Sequence, residues 1–140
     1  MDAVSVDPSR PALGIRQPWV ELILRGHKTL EIRSQPTKVR GPIYVYASKT
    51  VATIPEAAAA IDRYGIAWSA GSLQRLVGTV EVVGCRRATA SDAAASQVSA
   101  AMLDGMWAWE LSNPIRFDEP VKPRFLPYGV WFYPFRRRHA

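Results

Sequence analysis

The stretch Gly26-His27-Lys28-Thr29-Leu30-Glu31-Ile32-Arg33 constrains this chain more than any other. It lies where a helix must stop and a strand must start. Upstream, Trp19, Val20, Ile23 and Leu24 recur at helical spacing. Gln17-Pro18-Trp19 opens that helix, since proline suits a first position whose N–H would be unpaired anyway. Glu21 and Arg25 stand four apart in the favourable order for an ion pair. Gly26 fits the left-handed position that ends many helices. Downstream, strand geometry over 28–33 puts Thr29, Glu31 and Arg33 on one face, and Leu30 and Ile32 on the other. An apolar underside with a carboxylate–guanidinium row above it makes a suitable floor for a ligand.

The rest of the chain supplies a sheet around this strand. Residues 12–16 form a short strand, 42–47 a third, and 76–85 the clearest one. Gly78 and Gly84 within that strand mark bends, as in a curled sheet or barrel. Residues 107–111 form another strand, with a turn at Ser112-Asn113-Pro114 and a continuation over 115–118. Residues 129–132 close the sheet. A second helix covers 54–64, with Thr53 as its N-cap and Pro55 in its first turn. Residues 88–103 are rich in alanine and serine and partly helical after Ser91. Residues 1–11 form a flexible leader, 12–135 one domain, and 136–140 a basic tail. Short strands with two or three helices give an α+β fold on a small, strongly curved sheet.

Composition narrows the function classes. With 140 residues, 48% of them hydrophobic, the chain suffices for one packed domain. Its net charge of +6 draws polyanions, nucleic acid first. One cysteine, Cys85, leaves no intramolecular disulfide and no cysteine cluster for a metal. His27 and His139 lie far apart in sequence. No cofactor and no metal are therefore expected. No signal-peptide pattern opens the chain, and no apolar run approaches the roughly 18 residues of a spanning helix. A cytoplasmic protein without a membrane partner is the expectation.

These residues resemble a known family. Residues 12–33, then Arg40-Gly41-Pro42 and Ala47-Ser48, look like the ASCH domain family of the PUA-like superfamily. The signature Gly-x-Lys-x-x-Glu-x-Arg stands here as Gly26, Lys28, Glu31 and Arg33. Ile15-Arg16-Gln17-Pro18-Trp19, Trp107-x-Trp109-x-Leu111 and Gly129-Val130-Trp131 resemble its flanking segments. The resemblance spans roughly Ala12 to Phe132. It implies a small β-barrel flanked by helices, with the motif lining a cleft, and a role in binding RNA or a nucleoside. Some relatives look like single-strand ribonucleases, others like amidohydrolases acting on N4-acetylcytidine. The amidohydrolase motif carries a threonine nucleophile where this chain has Glu31, which has no hydroxyl.

Candidate roles follow from side-chain chemistry. Lys28 can contact a phosphate, or act as a base if burial lowers its pKa. Glu31 can accept from a base edge, serve as a general base, or pair with Lys28 or Arg33. Lys28 and Glu31 are the catalytic candidates if the chain is an enzyme. Arg33 and Arg16 can fork onto phosphate, with Arg33 also placed to brace Glu31. Trp19 can stack a base, an interaction worth roughly 1–3 kcal/mol. Ser48 and Lys49 end the third strand, beside the motif strand if consecutive strands pair. Trp107, Trp109 and Trp131 read as core, Tyr44 and Tyr46 as core or cleft wall, and Cys85 as a small buried hydrophobe. The leading reading is a nucleic-acid-binding domain, for single-stranded or modified-base RNA. The alternatives are a metal-independent ribonuclease or amidohydrolase, and a protein-interaction or regulatory module.

Overall fold

The computed structural model describes residues 6–137. Residues 1–5 of the expected leader and 138–140 of the expected tail lie outside it. Among the described residues six strands form one sheet: β1 (Ala12–Ile15), β2 (Leu30–Arg33), β3 (Gly41–Ala47), β4 (Arg75–Arg87), β5 (Trp107–Val121) and β6 (Trp131–Phe132). Three helices accompany them: α1 (Trp19–Leu24), α2 (Pro55–Tyr64) and α3 (Ala93–Ser96). The strand order is β2-β5-β4-β3-β1-β6, and the sheet curls into a half-barrel, as the α+β reading anticipates. Only β1 and β3 run parallel; every other neighbouring pair is antiparallel.

The curl has a local cause. Along β4 and β5 the register shifts between Leu76 and Gly78, Thr79 and Glu81, and Val82 and Gly84. Both strand glycines flank such shifts, and each extra residue bends the strand that carries it. A Cβ at Gly78 would collide with the Ile115 carbonyl, so the strands approach this closely only because the side chain is missing.

The structure corrects three expectations. Ser112-Asn113-Pro114 does not turn the chain, because β5 runs straight through it. From Ser112 to Ile115 β5 advances three residues while β4 advances two, from Glu81 to Thr79. Asn113, at φ +52°, absorbs the surplus, and Pro114 falls in the bulge, where no ladder N–H is needed. The second helix is capped at Ile54 rather than Thr53, with Pro55 at its start as expected. Finally, β3 does not neighbour the motif strand: β5 and β4 separate them.

The main core fills the curl, where Leu13, Ile15, Val45, Val80 and Trp109 pack with Val20 and Ile23 of α1. Tyr44 and Tyr46 belong to a second cluster with Ala12, Leu76 and Phe132, so they are core rather than cleft wall. Cys85 is half-buried against the main core. The described part of the leader lies against β3, with Asp7 N–H donating to the Tyr44 hydroxyl at 2.8 Å.

Candidate functional site

The motif enters the site through the helix cap. Gly26 takes φ +82°, the left-handed geometry expected of it. The N–H groups of His27 and Lys28 both donate to the Leu22 carbonyl, at 2.9 and 3.1 Å. Thr29 N–H then reaches the Ala95 carbonyl at 2.9 Å. Lys28 therefore precedes β2 and turns inward. It is 3% exposed and Glu31 is 5% exposed, so the charged row is buried rather than spread on an open floor.

Lys28 Nζ donates to the Ser96 carbonyl at 2.5 Å and lies 3.7 Å from Glu31 Oε1. The Trp19 ring centroid is 5.1 Å from the same nitrogen. Burial dominates the electrostatics of this amine and pushes its pKa below the ordinary 10.5. Glu31 pulls it partly back, and Arg33 adds a smaller downward push. Glu31 Oε2 accepts from Arg33 Nε at 3.1 Å and Nη2 at 2.8 Å. Arg33 Nη2 also donates to the Gly14 carbonyl of β1 at 3.0 Å. The guanidinium sits 5.5 Å from the Trp109 ring, which stacks on Trp131 at 5.6 Å. Side chains thus join β2, at one edge of the sheet, to β1 and β6 at the other.

A cleft of about 350 Å³ adjoins this network. Arg16, Trp19, Lys28, Glu31, Arg33 and Ser48 all line it. Ser48 reaches it because the sheet curls, not because β3 pairs with β2. Lys49 is exposed next to Ser48 and does not line the cleft. Ile32 does, although alternation assigns it to the underside. The apolar part of the lining adds Ile54 from the start of α2, and Val98, Met102 and Met106 from the segment between α3 and β5. Residues 88–103 gave little sign of this in the sequence. The one signal there and just beyond was Met102 and Met106, flexible apolar side chains four residues apart, which suit adaptable binding surfaces. Among the described residues no three His, Cys, Asp or Glu side chains gather into a metal site. No described helix is long and apolar enough to cross a membrane.

The ASCH domain model matches residues 13–121 of the sequence. The chain belongs to the ASCH domain family. Its fold agrees with solved ASCH proteins despite low identity. The crystal structure of ASCH from Zymomonas mobilis superposes with a TM-score of 0.59 at 14% identity, covering 91% of this chain and 88% of that one. A point mutant of the same Zymomonas mobilis protein gives 0.57 at 13% identity, covering 89% and 88%. A second mutant gives 0.58 at 13%, covering 91% and 89%. A comparison with curated proteins found no match. At such identity the structural likeness establishes the fold of this ASCH domain and leaves its ligand to the cleft's own chemistry.

Proposed function

We propose that this ASCH domain binds single-stranded RNA by taking one base into the cleft of Lys28, Glu31 and Trp19. Family membership supports the class, because ASCH domains are generally RNA-binding PUA-like domains. The observation that carries the finer reading is the mixed lining of the cleft. A base has apolar faces and a polar edge. Trp19, Met102 and Met106 offer apolar surface, while Glu31 and Lys28 offer an acceptor and a donor in the same cavity. Glu31 can accept from an exocyclic amino group, and the net charge of +6 draws the strand in. The test is fluorescence anisotropy with labelled single-stranded RNA at low salt. Micromolar or tighter binding is expected, weakened roughly tenfold in Lys28→Ala by loss of one charged contact. Absence of binding at low salt, or an indifferent Lys28→Ala, overturns the reading.

A second reading is metal-independent hydrolysis of RNA or a modified nucleoside. It draws support from one feature: burial loosens the proton on Lys28, as a general base requires. Ser48 brings a hydroxyl to the same cleft, though no hydrogen bond joins it to Lys28. Incubation with labelled RNA, and separately with N4-acetylcytidine, decides. Turnover that vanishes in Lys28→Ala establishes an enzyme, and the variant controls for contaminating nuclease.

A further inference from the structure

We propose that the mouth of the cleft is a phosphate subsite formed by Arg16 and Ser48, with Lys49 beside them, so the ligand is a nucleotide or strand rather than a free nucleoside. This rests on the base-binding reading above.

The interior cations are already engaged. Lys28 is held by the Ser96 carbonyl and Glu31, and Arg33 by Glu31 and the Gly14 carbonyl. A phosphate drawn to either would have to break a buried pair, which is costly. Arg16 is the reverse. Its guanidinium is exposed, lines the cleft, and has no hydrogen bond, ion pair or ring contact among the described residues. The Ser48 hydroxyl is likewise unengaged there, as is the exposed Lys49 ammonium.

The backbone puts the two cleft groups side by side. Strands β1 and β3 run parallel with Ile15 level with Ala47, and Ser48 N–H donates to the Ile15 carbonyl at 2.8 Å. Arg16 and Ser48 are therefore the first residues past the ends of neighbouring strands. Gly14, on β1, places that strand beside the hydroxyl: a Cβ there would stand in ordinary contact with Ser48 Oγ, at 3.4 Å. An unpaired planar fork beside a hydroxyl is suited to phosphate oxygens. Those oxygens can belong to a terminal monoester or to an internucleotide diester.

The test is calorimetric titration of the full chain, at low salt, with ribonucleosides, their 3′- and 5′-monophosphates, and short single-stranded RNA. The phosphate-bearing ligands are expected to bind roughly tenfold tighter than nucleosides, the gain of one charge-assisted contact. A gain already present in the monophosphates assigns a terminal phosphate; a gain confined to the strand assigns a diester. Arg16→Ala is expected to bring the phosphate-to-nucleoside ratio near one, and Ser48→Ala to lower it less. Arg137→Ala, which removes an exposed arginine outside the cleft, controls for general charge and leaves the ratio intact. Nucleosides binding as tightly as nucleotides and strand overturns the subsite alone. So does an Arg16→Ala that weakens every ligand equally. No binding by any of these probes overturns the base reading as well. Circular dichroism confirms folding, and Ser48→Ala carries the test if Arg16→Ala fails to fold.

Discussion

Glu21 and Glu31 are buried almost equally, at 6% and 5% exposure, and each holds an arginine. Their partners differ. Glu21 is clamped by both terminal nitrogens of Arg116 and approached by Arg25 at 3.8 Å. Those arginine side chains are 46% and 36% exposed. Glu31 faces Lys28, whose side chain is 2% exposed, and Arg33 at 23%. The cavity beside Glu21, about 550 Å³, is the larger of the two. Size alone would thus single out Glu21 rather than the Glu31 of the proposed site. What separates them is the fate of the cations. Around Glu21 they reach water; around Glu31 at least one cannot, and its proton is loosened in consequence.

The sharpest way to break this contrast is Glu31→Gln. It leaves Lys28 enclosed beside Arg33 with no opposite charge, and should cost about 3–5 kcal/mol in chemical denaturation. Glu21→Gln should cost only about 1–2 kcal/mol, since Arg116 and Arg25 turn to solvent. Equal losses at the two positions would erase the distinction. Asp92 offers a third comparison. Hydrogen bonds from Arg86 and then from the Thr89 N–H hold its carboxyl down to about 2, from 3.8. Its contribution is therefore complete above pH 3.8 and lost as pH falls through about 2. Arg86 is 43% exposed, so this amounts to about 1 kcal/mol, read as the acid-stability difference from Asp92→Asn. Lys28→Met should change stability at neutral pH least, by under ~1 kcal/mol, because the lost ion pair offsets the relieved burial. Its mark is a slope instead. The folded state holds the Lys28 proton less firmly than the unfolded state, so wild-type stability gains as pH rises from the depressed folded value towards 10.5. Lys28→Met should flatten that gain in melting curves taken across pH.

Much of this architecture was legible because local signals agreed. The stripe of Trp19, Val20, Ile23 and Leu24, the Gly26 stop and the alternating motif placed helix, cap and strand in order. The glycines at 78 and 84 mark the bends of β4 in the sequence itself. The bulge at Asn113 was not legible: Ser-Asn-Pro is turn chemistry, and only a long partner strand can carry β5 through it. Nor was the apolar part of the cleft. Val98, Met102 and Met106 gain their role from a fold that returns them to a motif some seventy residues upstream. The motif's charges were readable as types, but not their burial. Alternation sets the side of a strand a residue takes, whereas enclosure of Lys28 depends on α3 and the Ser96 carbonyl.

Among the described residues strand β2 has one ladder neighbour, β5. Its other flank is fastened by Arg33 to the Gly14 carbonyl, while the same guanidinium lies against Trp109 of β5, which stacks on Trp131 of β6. The carboxylate that steadies this fastening is the one a base would engage. In the proposed binding mode, recognition and closure of the half-barrel share a single latch. A ligand that tightens Glu31 against Arg33 should slow amide exchange in β6, a strand it never touches, and one that takes Glu31 from Arg33 should speed it.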